Sequence, residues 1–373
     1  MSEETPLQRA MRQPLMLGLF LPIQNGGWTP STAPRSTDWK FKYNVELTVR
    51  AEALEFDLAF GLAQWLGANG HGGTTQYRKN SLDPLLVTAG SAALTQRIIL
   101  ISTVHALYGW HPLHLAKMGA TLDHMTGNRW GLNLVTGFRP NEISMFGLHP
   151  ISHDKRYMMI AEFTEMMERL WRENANVTLE GNFWSLKDAY VSPKPTGGRP
   201  IMVSAASSEA GLAYATRYSD LIFITSPGGA DLEEALATLP SHTQHIHELA
   251  EAEGREVRTI INPHVICRET EGEVEAVCRA IVDGEDVGAV DGLMNSMTGG
   301  DQTSWRSHKR EQRIIGGNVH VFGTPERVAD QLVRLHTAGC DGVQINFFDF
   351  GPDLEFFGTH VIPLLKDAGL RVD

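Results

Sequence analysis

Residues Arg129–Glu142 read RWGLNLVTGFRPNE, and the reading of this stretch decides the fold. Trp130–Val135 is an apolar run carrying one amide, Asn133. Gly137 ends the run, and Arg139-Pro140-Asn141-Glu142 supplies turn and charge chemistry. A strand covered on both faces is apolar throughout, and a parallel barrel builds its site from polar residues at the C-terminal ends of such strands. Taken alone, the plainer reading is a core strand whose Asn satisfies its own turn, so the neighbouring sequence has to decide.

Working outward, the same signature recurs. Leu15–Phe20, Leu58–Leu62 and Ile98–Val104 precede the stretch, and Ile201–Ala205, Leu221–Thr225, Thr259–Cys267 and Val343–Phe347 follow it. Between these runs lie segments with apolar residues at helical spacing, among them Tyr43–Glu55, His111–His124, Asp154–Glu173, Asp231–Glu253 and Thr324–Gly339. Pro112, and Thr324 followed by Pro325, are helix-start signals. Eight apolar strands alternating with helices predict an α/β fold, a TIM (β/α)8 barrel. Two stretches break the rhythm and read as insertions after strands four and seven. Residues 174–198 are β-like, and 284–319 are long, irregular and polar with paired glycines, the pattern of a mobile lid. No linker divides the chain, so 1–373 reads as a single domain. A doubly wound open sheet is the alternative, but no GxGxxG follows an early strand.

Composition narrows the partners. A formal net charge of −12 argues against nucleic acid, which needs clustered Lys and Arg. Three cysteines, Cys267, Cys278 and Cys340, lack CxxC spacing and fit a reducing cytoplasm. The N-terminus is polar, and no apolar run reaches membrane-spanning length, so no membrane association is expected.

The strand ends bring forward Trp28, Gln64, Trp65, His105, Asn133, Glu142, Asn262 and His264. That set is rich in amides and aromatics, has no GxSxG elbow, and suits a large planar ligand with polar edges. Trp28, Trp65 and Asn262 are the expected pocket walls. His242, His245 and His247 share a helix, but nothing is spaced to complete a metal site, so no metal is expected. Arg156-Tyr157 at one helix start and Ser207-Ser208 at another form a candidate anion cradle, against the plain alternative of a Ser cap and a surface Arg.

These residues resemble a known family. Ala120-Thr121-Leu122-Asp123, Thr126-Gly127-Asn128-Arg129, Asn133-Leu134-Val135-Thr136-Gly137 with Glu142 beyond, LFLPIQNGGW at Leu19–Trp28 and SSEAG at Ser207–Gly211 are similar to the bacterial-luciferase-like flavin monooxygenases. The likeness runs from about Met16 to Leu365. It is strongest to the pyrimidine-oxygenating branch, with the sulfone and alkanesulfonate branches near. It implies an FMNH2- and O2-dependent monooxygenase with a separate NAD(P)H:flavin reductase, acting as a homodimer or homotetramer on a small heteroaromatic or carbonyl compound such as a pyrimidine, ring opening included. It also implies that Ala63 and Gln64 lie along the flavin, that Asn133 and Glu142 bind its ring edge or ribityl chain, and that Arg156, Tyr157 and Ser208 hold its phosphate. His105 and His264 are the expected polarising groups. Gln64, beside the expected oxygen site, replaces the Lys of the pyrimidine branch. Asn262-Pro263-His264 keeps the His of the sulfonate pattern and lacks its Arg, which counts against a sulfonate. A C–S-cleaving sulfone or sulfonate monooxygenase, a non-catalytic flavin-binding barrel and a deazaflavin-dependent enzyme stay as alternatives.

Overall fold

The computed structural model describes residues 4–296 and 309–372. In chain order its strands are β1 (Met16–Phe20), β2 (Leu58–Gly61), β3 (Ile99–His105), β4 (Trp130–Val135), β5 (Val177–Glu180), β6 (Ser185–Ala189), β7 (Ile201–Ala205), β8 (Leu221–Ile224), β9 (Arg258–Ile261), β10 (Pro263–Cys267), β11 (Val319–Gly323) and β12 (Gly342–Phe347). Ten of them form one sheet in the order β1-β2-β3-β4-β7-β8-β9-β12-β10-β11, closed by parallel pairing of β1 with β12. Since β9 and β10 are two halves of one strand and β11 is an addition, the ring has eight staves, as expected of a TIM barrel.

Two apolar environments explain the uninterrupted hydrophobic runs. Phe20, Phe60, Ile101, Val203, Phe223 and Ile260 fill the interior of the ring, and Ala10 of the short helix Pro6–Met11 packs against the same cluster. The alternate residues, such as Leu17, Leu19, Leu100, Ile222 and Val343, face the surrounding helices. A strand with both faces covered cannot alternate apolar with polar.

The structure refines the sequence reading at both insertions. The first carries the antiparallel hairpin β5–β6, outside the barrel sheet. The second, expected to be irregular, contains the helices Val287–Ser296 and Arg310–Ile315 and then leads into β11. Residues 297–308, within the expected lid, lie outside the described residues. The expected seventh strand, Thr259–Cys267, is interrupted at Asn262. Pro263 has no N–H to give to a ladder, and there the strand changes neighbours. β9 pairs with β8, whereas β10 pairs with β11. The strand β11 therefore occupies the gap that opens as β10 leaves β8. Among the described residues no helix is long and apolar enough to cross a membrane.

Candidate active site

A cavity of about 360 Å³ opens at the C-terminal ends of the strands, in the size range that holds a drug-sized ligand. Its floor is aromatic: Phe20 meets Trp28 at 3.7 Å between ring centroids, and Phe60 meets Phe20 and Phe223 edge-on at 4.7 and 4.8 Å. Trp28 is fixed by its Nε1, which donates to the Phe20 carbonyl at 3.1 Å.

The polar lining comes from consecutive staves. Asn133 stands opposite Thr103 in the β3–β4 register, and its Nδ2 donates to Thr103 Oγ1 at 2.9 Å. Asn133 Oδ1 is buried without a partner among the described residues. A buried acceptor left unmatched is costly, so this atom marks where a ligand N–H or O–H belongs. Glu142, from the short helix Pro140–Met145, is 1% exposed; it accepts from Tyr108 Oη at 3.0 Å and from Arg139 Nη1 at 2.9 Å. His105 ends β3, stacks on Tyr108 at 4.7 Å and lines the cavity. Burial lowers its pKa to about 4, and the nearby Glu142 opposes that shift only in part. The ring is neutral at physiological pH. It keeps an uncharged donor and acceptor at the cavity wall.

The opposite rim holds hydroxyls. Ser207 and Tyr157 line the cavity. Ser208 caps the helix Glu209–Tyr218: its Oγ accepts from Gly211 N at 3.2 Å and lies 3.0 Å from His153 Nε2. A Cβ on Gly211 would come within 2.7 Å of Tyr157 Oη and 3.1 Å of Ser208 Oγ, so only glycine leaves this corner open. A helix start flanked by two hydroxyls is an anion cradle.

The remaining expected residues divide between the cavity and its surroundings. Ala63 and Asn262 line the cavity, and Asn262 Oδ1 is buried without a partner among the described residues. Gln64 is held by its Nε2 at 3.0 Å from His71 Nε2. Trp65 is 40% exposed and packs edge-on against Phe146 at 4.9 Å. Arg156 lines a second cavity of about 320 Å³, and its Nη1 donates to the Gly137 carbonyl at 2.9 Å. His264 is fully buried off the cavity wall, where its Nδ1 donates to Asn346 Oδ1. Of the helical histidines, His245 approaches Glu209 and His247 approaches Asp341, two separate carboxylates.

Several lining residues escaped the sequence reading, among them Thr103 and three with larger polar side chains. Arg78 sits in a polar YRKN loop whose burial no periodicity reveals, Tyr214 reads as a helix-core aromatic, and Arg313 lies inside the expected lid. Tyr108, which organises Glu142, follows β3 without any motif around it.

Comparison with known proteins places the chain among relatives. A family model described as luciferase-like monooxygenase matches residues 15–342. The pyrimidine monooxygenase RutA of Bradyrhizobium sp. (strain BTAi1) is 30% identical over 369 residues, covering 95% of this chain and 98% of that protein. The FMNH2-dependent dimethylsulfone monooxygenase of Pseudomonas fluorescens (strain Pf0-1) is 29% identical over 365 residues, covering 95% and 96%. A crystal structure of riboflavin lyase RcaE with modified FMN and riboflavin superposes with a TM-score of 0.82 at 23% identity, over 96% of this chain and 93% of that one, a likeness of fold.

Proposed function

The chain belongs to the luciferase-like monooxygenases, and from that premise we propose that it is an FMNH2- and O2-dependent monooxygenase. The whole chain acts as one catalytic domain on a small heteroaromatic or carbonyl substrate, fed with reduced flavin by a separate NAD(P)H:flavin reductase and assembled as a homodimer or homotetramer. Bound FMNH2 with dioxygen supplies one oxygen atom to the substrate and one to water.

The residues present fit that cofactor. Ser207, Ser208 and Tyr157 at the helix start would hold the phosphate, in the corner that Gly211 leaves open. Asn133 Oδ1 would accept a hydrogen bond from the ribityl chain or ring edge, while Thr103 fixes the amide's orientation. Glu142 reaches the ligand with its charge already balanced by Arg139. His105, neutral and without a partner at Nδ1 among the described residues, offers the substrate one hydrogen bond without adding charge. Leu293, Gly317 and Asn318 from the second insertion complete the wall and exclude water from that side.

The observation that carries this reading is the divided amide of Asn133: one half is fixed by the barrel and the other is unmatched in the cavity. Anaerobic titration with FMNH2 tests it. Saturable binding is expected, weakened about tenfold in Asn133→Ala by the loss of roughly one hydrogen bond. Absence of saturable FMNH2 binding in the wild type overturns the proposal. A sulfonate substrate is the second reading, favoured by the cations that line the cavity.

A further inference from the structure

Three guanidiniums, Arg78, Arg139 and Arg313, line the cavity with one carboxylate, Glu142. Glu142 is occupied by Arg139 and Tyr108. With His105 neutral, cationic side chains outnumber anionic ones among the described lining residues. Arg78 is the sharpest case. It is 7% exposed, its Nε donates to the Gly27 carbonyl at 3.1 Å, and its guanidinium lies over the rings of Trp28 and Tyr77 at 4.6 and 4.9 Å. No carboxylate among the described residues pairs with it: the Tyr77 hydroxyl is its polar side-chain neighbour, and the guanidinium of Arg139 adds a like charge nearby. Aromatic faces offset part of the desolvation of a buried cation, and an anion offsets far more.

The position of Arg78 separates it from the phosphate cradle. Trp28 and Arg78 come from the segments that follow β1 and β2, whereas Tyr157 and Ser207 come from segments after β4 and β7, on another arc of the ring. Beside Arg78 lies the aromatic floor of Phe20 and Phe60.

We propose that Arg78 is the substrate anchor and that the substrate is a small organic anion, its carboxylate or sulfonate held by the Arg78 guanidinium and its apolar body lying on the Phe20–Phe60 floor. This narrows the substrate class and rests on the flavin monooxygenase reading. It also supplies, from the loop after β2, the cation that position 262 lacks. Arg rather than Lys suits the role, because a planar fork grips an oxyanion through two parallel bonds and stacks on Trp28 at the same time.

The test uses the full-length protein loaded with oxidised FMN and two matched probe pairs followed by calorimetry: uracil against its carboxylate orotate, and dimethyl sulfone against methanesulfonate. The charged member of one pair is expected to bind at least about tenfold more tightly, the size of one charge-assisted hydrogen bond, and which pair responds distinguishes carboxylate from sulfonate. Arg78→Gln is expected to abolish that preference and leave FMN affinity within about twofold, and Arg78→Lys to restore part of it. Equal binding of charged and neutral probes by the wild type overturns the proposal, and needs no variant to fold. A preference that survives Arg78→Gln also overturns it, and leaves Arg78 as a clamp on the Gly27 turn. FMN affinity, read separately by flavin fluorescence, keeps the two claims apart: intact FMN binding without an anion preference removes only the anchor, and absent FMN binding removes both.

Discussion

His105 ends β3, whereas His264 lies just past the break at the start of β10, on a stave four places away around the eight-stave ring. Both are held strongly neutral by burial, with pKa values lowered to about 4 and about 3. Their surroundings differ. His105 stacks on Tyr108 and borders the cavity, and its Nδ1 has no partner among the described residues. His264 is enclosed: Asn346 Nδ2 donates to the Pro263 carbonyl at 3.2 Å, which turns Asn346 Oδ1 toward His264 and fixes the proton on Nδ1. Gly316 of the second insertion covers the ring. An apolar run that carries a histidine therefore makes that residue a candidate, and its place along the strand together with what later segments lay over it decides whether it meets ligand.

The contrast breaks most visibly on reciprocal alanine substitution. His264→Ala is expected to lower stability by about 3 kcal/mol, through the cavity left and the orphaned Asn346, while the folded fraction keeps its turnover. His105→Ala is expected to lose only about 1 kcal/mol of stability but about 100-fold in turnover. Denaturant midpoints and steady-state rates measure both, and equal stability losses would erase the distinction. A smaller effect belongs to the cover. Gly316 has φ +145°, and a Cβ there would stand 2.7 Å from His264 Nδ1, so Gly316→Ala is expected to cost about 2 kcal/mol in chemical denaturation. The smallest is a slope. Both folded pKa values lie below the unfolded value of roughly 6.5, so between about pH 4 and 6 the unfolded chain binds protons that the folded chain refuses. Stability then falls as pH falls. His264→Gln is expected to flatten that dependence by about 1.4 kcal/mol per pH unit, one proton's worth, and an unchanged slope would show that His264 is not excluded from protonation.

The barrel was legible because its staves are short, apolar and separated by helical spacing, and Asn133 was legible because an amide inside Trp130–Val135 has no reason to be there except pairing or ligand. Other features left no such trace. The break at Asn262 is invisible in Thr259–Cys267, where both halves are equally apolar. The helix Val287–Ser296 holds two glycines and an aspartate and reads as loop, although Ala289, Val290 and Leu293 are buried. Arg78 was illegible for the opposite reason. Its sequence neighbours Lys79 and Asn80 predict solvent, and only the tertiary approach of the Gly27 turn and Trp28 buries it. Local pattern reports what a residue prefers, and sites are assembled where distant segments override that preference.

The break in the seventh strand also has a practical side. Because β11 is hydrogen-bonded into the wall beside β10, the second insertion is fastened at its downstream end, and upstream Gly284 O accepts from Thr32 N at 2.7 Å while the Asp286 carboxylate accepts from Thr75 N at 2.7 Å. The span from 287 to 318 is thus a cassette between two fixed seams. Exchange of that cassette between relatives, with both seams kept, offers a route to new substrate tolerance in which the eight staves and the cofactor cradle never have to be redesigned.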